Sequence, residues 1–257
     1  MKKYLFITIL CLLVFPASAF AQATASGKSE TTVTLQDPFK NFYDRGMEYL
    51  ELDEYAKASE FFLKALKINS KSAETYYHLG SCYYELERYS EAINAYQEAI
   101  KINPEYYDAV VYLGNAFDYD GQYAKAVEMY KKAIKLKPDE WQPYYELGIA
   151  QYNQKSYSEA IASFQDSLKR DTTQARTHYY LGDSLRMSKR FNEAVISYQE
   201  TLRLDDEFDD AYFGLGMAYV GQGNIGAARQ QYEKLRRRDA GLAAELLEEI
   251  NKMQAVV

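Results

Sequence analysis

Residues 73–106 read AETYYHLGSCYYELERYSEAINAYQEAIKINPEY, and this stretch decides the fold. Tyr76, Leu79, Gly80 and Tyr83 fall at i, i+3, i+4 and i+7, which is one face of a helix. Ala92, Tyr96, Ala99 and Ile100 make a second such face. The short segment Leu86 to Arg88 lies between them, and Pro104 stops the second helix. The stretch therefore predicts two helices folded back on each other.

The same stretch recurs along the chain. Glycines stand at Gly46, Gly80, Gly114, Gly148, Gly182 and Gly216, always 34 residues apart. Alanines stand at Ala58, Ala92, Ala126, Ala160, Ala194 and Ala228, and aromatics at Phe62, Tyr96, Tyr130, Phe164, Tyr198 and Tyr232. A further large residue recurs at Tyr55, Tyr89, Tyr123, Tyr157, Phe191 and Ile225. With the glycine at position 8, six units begin at 39, 73, 107, 141, 175 and 209. They span 39–72, 73–106, 107–140, 141–174, 175–208 and 209–242. Gly at position 8 and Ala at position 20 are expected to let the paired helices approach closely. One pair cannot bury its own apolar face, so neighbours must stack. Residues 243–257 are expected to form a terminal capping helix and tail, in which Leu246 and Ile250 continue an apolar side begun by Leu242.

The first residues carry a different signal. Lys2 and Lys3 precede the apolar run Tyr4 to Phe15, and Ala19-Phe20-Ala21 fits a small-x-small cleavage site. The run is short for a membrane-spanning helix. The expectation is a signal peptide over 1–21, cleavage after Ala21, and export to a bacterial periplasm with no transmembrane segment left. An uncleaved signal anchor is the alternative. Cys11 would leave with the peptide, so Cys82 would be the one cysteine of the mature chain, unable to form an internal disulfide. Residues 22–38 read as a flexible leader.

Charge bounds the partners. The chain carries a formal −7, and loss of Lys2 and Lys3 takes it to −9. Nucleic acid needs clustered cations, and the one basic run, Arg236-Arg237-Arg238, sits near a helix end, where cations suit the dipole. Catalytic and metal constellations are missing. His78 and His178 are the only histidines, too few for a zinc site by themselves. Gly221-Gln-Gly223-Asn-Ile-Gly226 matches a dinucleotide string but falls between two predicted helices, not between a strand and a helix. Gly27-Lys28-Ser29 lacks the earlier glycine of a phosphate loop. The acids at Asp205, Asp206, Glu207, Asp209 and Asp210 lack the spacing of a calcium loop. No enzyme activity, cofactor or metal is expected.

The aromatic at position 4, Leu-Gly at 7 and 8, Tyr at 11, Ala at 20, aromatic at 24, Ala at 27 and Pro at 32 together resemble the tetratricopeptide repeat. Unit two carries the match best. Position 4 is never Trp, Arg45 replaces Leu at position 7 of unit one, and Gln151 replaces Tyr at position 11 of unit four. The resemblance implies an all-α fold, a right-handed α-solenoid of six helix-turn-helix units plus the capping helix. It also implies that positions 2, 5, 9, 12 and 13 of the first helices face a concave groove. Carried over, position 5 gives Tyr43, Tyr77, Val111, Tyr145, Tyr179 and Phe213. Position 12 gives Leu50, Tyr84, Asp118, Tyr152, Arg186 and Val220, and position 9 gives Met47, Ser81, Asn115, Ile149, Asp183 and Met217. Tyr119 stands at position 13.

Tyr occurs 26 times against one Trp. Tyrosine combines large contact area with a hydrogen-bonding tip, as binding surfaces require. The expected site is a Tyr-rich trough of Tyr43, Tyr77, Tyr84, Asn115, Tyr119, Tyr145, Tyr152, Tyr179 and Phe213 that holds a peptide or protein partner. The family's carboxylate-clamp mode would need groove lysines that position 5 does not supply. Binding of a glycan or small ligand on the same rings, and homo-oligomerisation, are the other readings.

Overall fold

The structure is a computed structural model, and it describes residues 37–256. Among the described residues there are α-helices and no strands. Unit one pairs α1 (Pro38–Glu51) with α2 (Tyr55–Ile68), and unit two α3 (Ala73–Glu85) with α4 (Tyr89–Ile102). Unit three pairs α5 (Tyr107–Tyr119) with α6 (Tyr123–Leu136), and unit four α7 (Gln142–Asn153) with α8 (Tyr157–Leu168). Unit five pairs α9 (Ala175–Met187) with α10 (Phe191–Leu204), and unit six α11 (Asp209–Gly221) with α12 (Ile225–Leu235). Helix α13 (Ala240–Val256) closes the stack. The expected signal peptide and most of the expected leader lie outside the described residues.

Two boundaries differ from those the sequence predicts. Pro38, assigned to the leader, is already helical, because Asp37 accepts the Phe39 amide at 3.0 Å and proline's fixed φ suits a first helical position. The terminal helix begins at Ala240 rather than 243, because the Asp239 carboxylate accepts the amides of Gly241 and Leu242.

Every unit turns in the same way. Position 15 is left-handed throughout, at Asp53, Glu87, Gly121, Lys155, Lys189 and Gly223, with φ between 57° and 75°. The amide of position 16 reaches back to the carbonyl of position 11, as from Arg88 to Tyr83 at 2.8 Å and from Gln122 to Phe117 at 2.8 Å. The amide of position 15 bonds the carbonyl of position 12. These two bonds satisfy carbonyls that the helix end would otherwise leave open.

The position-8 glycine serves a more specific purpose than close backbone approach. A methyl group on Gly46, Gly80, Gly114 or Gly148 would lie 2.5–2.6 Å from the position-24 ring of the same unit. The missing side chain is the seat of that ring. Phe62, Tyr96, Tyr130, Phe164 and Tyr198 are accordingly buried, each contributing about 2–3 kcal/mol of apolar burial. Unit six departs from the pattern. There Leu246 of α13 fills the seat at Gly216, and Tyr232 stays half-buried. Leu246 and Ile250 are fully buried against this last unit, as an amphipathic cap requires.

The group opposite the ring's tip matches the ring's chemistry. The hydroxyls of Tyr96, Tyr130 and Tyr198 meet Ser81, Asn115 and Asp183 at position 9, at 3.3, 2.8 and 2.6 Å. Where position 24 is Phe62 or Phe164, position 9 is Met47 or Ile149. A buried hydroxyl without a partner is costly, and the two positions vary together accordingly.

Helix α3 touches α5, α5 touches α7, α7 touches α9 and α9 touches α11, each the first helix of its unit, whereas second helices of consecutive units do not approach as closely. The stack therefore curves with its first helices on the inside.

Candidate functional site

The inner face is paved with aromatic rings. At position 5, Tyr43, Tyr77, Tyr145 and Tyr179 each lie about 6 Å from the position-24 ring of their own unit. Tyr43, Tyr77 and Tyr145 also meet position 6 of the next unit edge-on, at His78, Tyr112 and Tyr180. These rings are half-buried, so they join neighbouring units as well as lining the face. Val111 is buried, and Phe213 packs with the terminal cluster.

The expected residues gather in two clusters. Tyr84 stands edge-on to Tyr112 at 6.2 Å and to Tyr119 at 5.6 Å, and Tyr119 stacks on Tyr89 at 5.4 Å. Tyr77 joins this group through Tyr112. Further along, Tyr152 and Tyr145 both meet Tyr180, which also contacts Tyr179. Tyr43 and Phe213 lie towards the two ends of the stack. Asn115 is partly committed, since its Oδ1 accepts the Tyr130 hydroxyl.

Position 6 is not among the groove positions the sequence predicts, yet it contributes His78, Tyr112, Glu146 and Tyr180 to this face. The signal was legible as a Glu in unit four where units two, three and five carry rings. Glu146 lies partly buried beside Asp118 of unit three. Burial, and then the Asp118 charge, raise the Glu146 carboxyl to about 7. Asp118 is also raised by burial, against which it accepts one bond from Asn153 Nδ2 at 3.3 Å. Tyr84 is pushed well above the usual phenol range, first by burial and then by Tyr119.

Unit five treats its acid differently. Asp183 accepts Arg186 Nη2 at 2.8 Å as well as the Tyr198 hydroxyl. The groove residues at its positions 9 and 12 are thus bound to each other.

The remaining motifs have local explanations. His78 stacks on Phe62 at 5.7 Å, and burial lowers its pKa. His178 bonds the Thr172 carbonyl at 3.1 Å. Gly221 ends α11, Gly223 holds the left-handed turn, and Gly226 lies in α12. The Asp205 carboxylate accepts the Glu207 amide, and Asp209 pairs with Arg238. Gln151 is buried and accepts the Ser163 hydroxyl at 2.6 Å, which accounts for glutamine at position 11. Cys82 is buried and free, with its thiol pushed up to about 12 by desolvation. Among the described residues no group of three or more His, Cys, Asp or Glu is placed to hold a metal. None of the described helices is long and apolar enough to cross a membrane.

Known proteins share this architecture. Family profiles described as tetratricopeptide repeat match residues 39–72, 73–106, 157–212 and 173–243, and one described as TPR repeat matches 114–155. Comparison with curated proteins returns no match. Among solved structures, one titled as the MamA protein is 25% identical, with 70% of this chain and 94% of that chain covered and a TM-score of 0.60. The C-terminal part of a TPR repeat-containing protein from Cytophaga hutchinsonii is 24% identical over 82% of this chain and 84% of its own, with a TM-score of 0.69. YrrB, titled a TPR protein with an unusual peptide-binding site, is 20% identical over 74% of this chain and 99% of its own, with a TM-score of 0.64.

Proposed function

The chain belongs to the tetratricopeptide repeat family, and from that premise we propose that it is a non-catalytic adaptor of the bacterial envelope that holds a peptide or protein on its tyrosine-lined inner face. The observation that carries this reading is Tyr119, a ring 64% exposed on a first helix and continuous with Tyr84 and Tyr112. A folded chain gains nothing by leaving such a ring in water, and rigid aromatics anchor interfaces. YrrB, a structural relative, is described as having a peptide-binding site, which supports a peptide as the kind of partner held. Export is inferred from the apolar run after Lys2 and Lys3 and from the small-x-small triplet ending at Ala21.

A photoreactive phenylalanine in place of Tyr119, introduced in the cell of origin, tests the groove. A discrete adduct is expected, absent when the probe sits at the outward-facing, exposed Lys131 of α6. Equal adducts from both positions, or none from Tyr119, overturn the reading, and an adduct at twice the chain's mass redirects it to self-assembly. Amino-terminal sequencing of the same protein should begin at Gln22. A start at Met1 contradicts cleavage.

A further inference from the structure

We infer that the middle of the groove, between units two and four, is built to take a cationic side chain, Arg or Lys, of a bound basic peptide. The inference rests on the proposed peptide-binding groove and adds the chemistry of what is held.

Two independent observations meet at one place. The first is aromatic. Tyr84, Tyr112 and Tyr119 form a group with ring centroids 5.6–6.2 Å apart about Tyr84 and interplanar angles near 90°. Tyr112 is 36% and Tyr119 64% exposed, so ring surface is offered to solvent. Perpendicular rings present a face on one wall and an edge on the next, and a ring face attracts a cation.

The second is a charge without its opposite. Asp118, one residue before Tyr119, and Glu146, on the first helix of the next unit, act on each other. Helix α7, which carries Glu146, touches α5, which carries Tyr112, Asp118 and Tyr119, and the phenols of Tyr84 and Tyr112 feel the Glu146 charge. Among the described residues, Asp118 has one neutral donor, Asn153, and Glu146 has neither a hydrogen bond nor an ion pair. No described Lys, Arg or His acts on either carboxylate. On α9 the nearest acid, Asp183, is already matched by Arg186. Two like charges brought together and partly removed from water repel each other and lose hydration. A cation entering between them restores both losses, and the rings hold its apolar stem. The occupant is therefore basic, and Glu146 sets it apart from the neutral aromatic partner that rings alone would accept.

Anisotropy with two fluorescein-labelled synthetic peptides at pH 8 tests this directly. The peptides are identical Gly-Ser chains around a central Tyr, flanked in one by arginines and in the other by citrullines, which keep the shape and lose the charge. The mature chain is expected to bind the arginine peptide at least about tenfold more tightly. The double variant Asp118→Asn with Glu146→Gln should abolish that preference. Glu60→Gln with Glu159→Gln makes the same change in net charge on exposed outer-helix carboxylates and should leave the preference within about twofold. Equal loss in both double variants means that general attraction to an acidic chain explains the binding, and the inference falls. Equal affinity for both peptides, or no binding at millimolar concentration, also overturns it. The Tyr119 crosslink is read separately. If it persists while the arginine preference is absent, the groove reading stands and the basic-peptide inference fails.

Discussion

Units three and four carry carboxylates on the same inner face as unit five, and the two regions treat them in opposite ways. In unit five, Asp183 is 7% exposed and held by both Arg186 and Tyr198. Across units three and four, Asp118 has only Asn153, and Glu146 has no partner among the described residues. The backbone does not cause the difference, since both regions turn through the same left-handed position 15 and seat the same kind of ring on the same glycine. What differs is completion. Unit five closes its charges internally and uses its polar groups for its own stability. The middle of the groove leaves that closure to something outside the chain, at a cost to stability that repeat packing has to absorb.

The largest change should come from making unit five resemble the middle of the groove. Arg186→Met removes the cation and leaves Asp183 nearly buried with only neutral tyrosine partners. Breaking such a pair on one side should cost about 3 kcal/mol, read as a drop in the urea midpoint. An unchanged midpoint would mean that unit five was never stabilised by its pair.

The converse change should come next. Glu146→Gln removes the unpartnered charge and is expected to stabilise the chain at pH 8 by on the order of 2 kcal/mol. The sign comes from the raised carboxyl. Between the ordinary carboxylate range and about 7 the folded chain keeps a proton that the unfolded chain has lost, so stability falls as pH rises through that window. The groups facing Glu146 are Asp118 and the phenols of Tyr84, Tyr112 and Tyr130, and the phenols stay neutral there. The gain should therefore fade towards pH 5. A variant no more stable than the parent at pH 8 would remove the contrast between the regions.

Beneath both surfaces the ring hydroxyl and position 9 should obey one rule. Tyr130→Phe strands Asn115 Oδ1 only partly, since Asn115 is half-exposed, and should cost about 1 kcal/mol. Phe164→Tyr, opposite Ile149, should cost more, and adding Ile149→Asn should recover most of it. Failure of that rescue would show that the pairing in units two, three and five is incidental.

The smallest effect should fall on the turn shared by both regions. Lys189→Gly relieves a left-handed non-glycine residue in unit five and is expected to shift stability by no more than about 1 kcal/mol in its favour. The matching Gly121→Lys in unit three should cost a similar amount. The open space around Gly121 leaves φ as the only obstacle.

The array was legible because its packing residues must repeat. A glycine that seats a ring and a buried alanine cannot grow without a clash, and the aromatic cannot shrink without opening a cavity, so Gly80, Ala92 and Tyr96 announce their counterparts 34 residues away. The inner face is under no such constraint, and its positions say little in isolation. Asp118 and Arg186 share position 12, yet one lacks a counter-charge and the other is bound to Asp183. Deciding which is which needs the unit-to-unit rotation that brings Glu146 against an acid in the preceding unit. The ends were the other weak place. Tyr232 has the aromatic identity of its position but not its burial, because the helix that takes over its seat belongs to no repeat.

That exchange of seat at Gly216 also bears on how the array can lengthen. Units two to five are self-sufficient, each supplying both the glycine and the ring that fills it. Unit six is half of a lock whose other half is Leu246. A copy of units two to five inserted in tandem would arrive complete, whereas a copy of unit six moved inward would leave α13 behind and bring a glycine facing a tyrosine that has never filled it. Duplication can therefore add length to the interior of the stack but not at its carboxyl-terminal end, and α13 fixes where the stack stops.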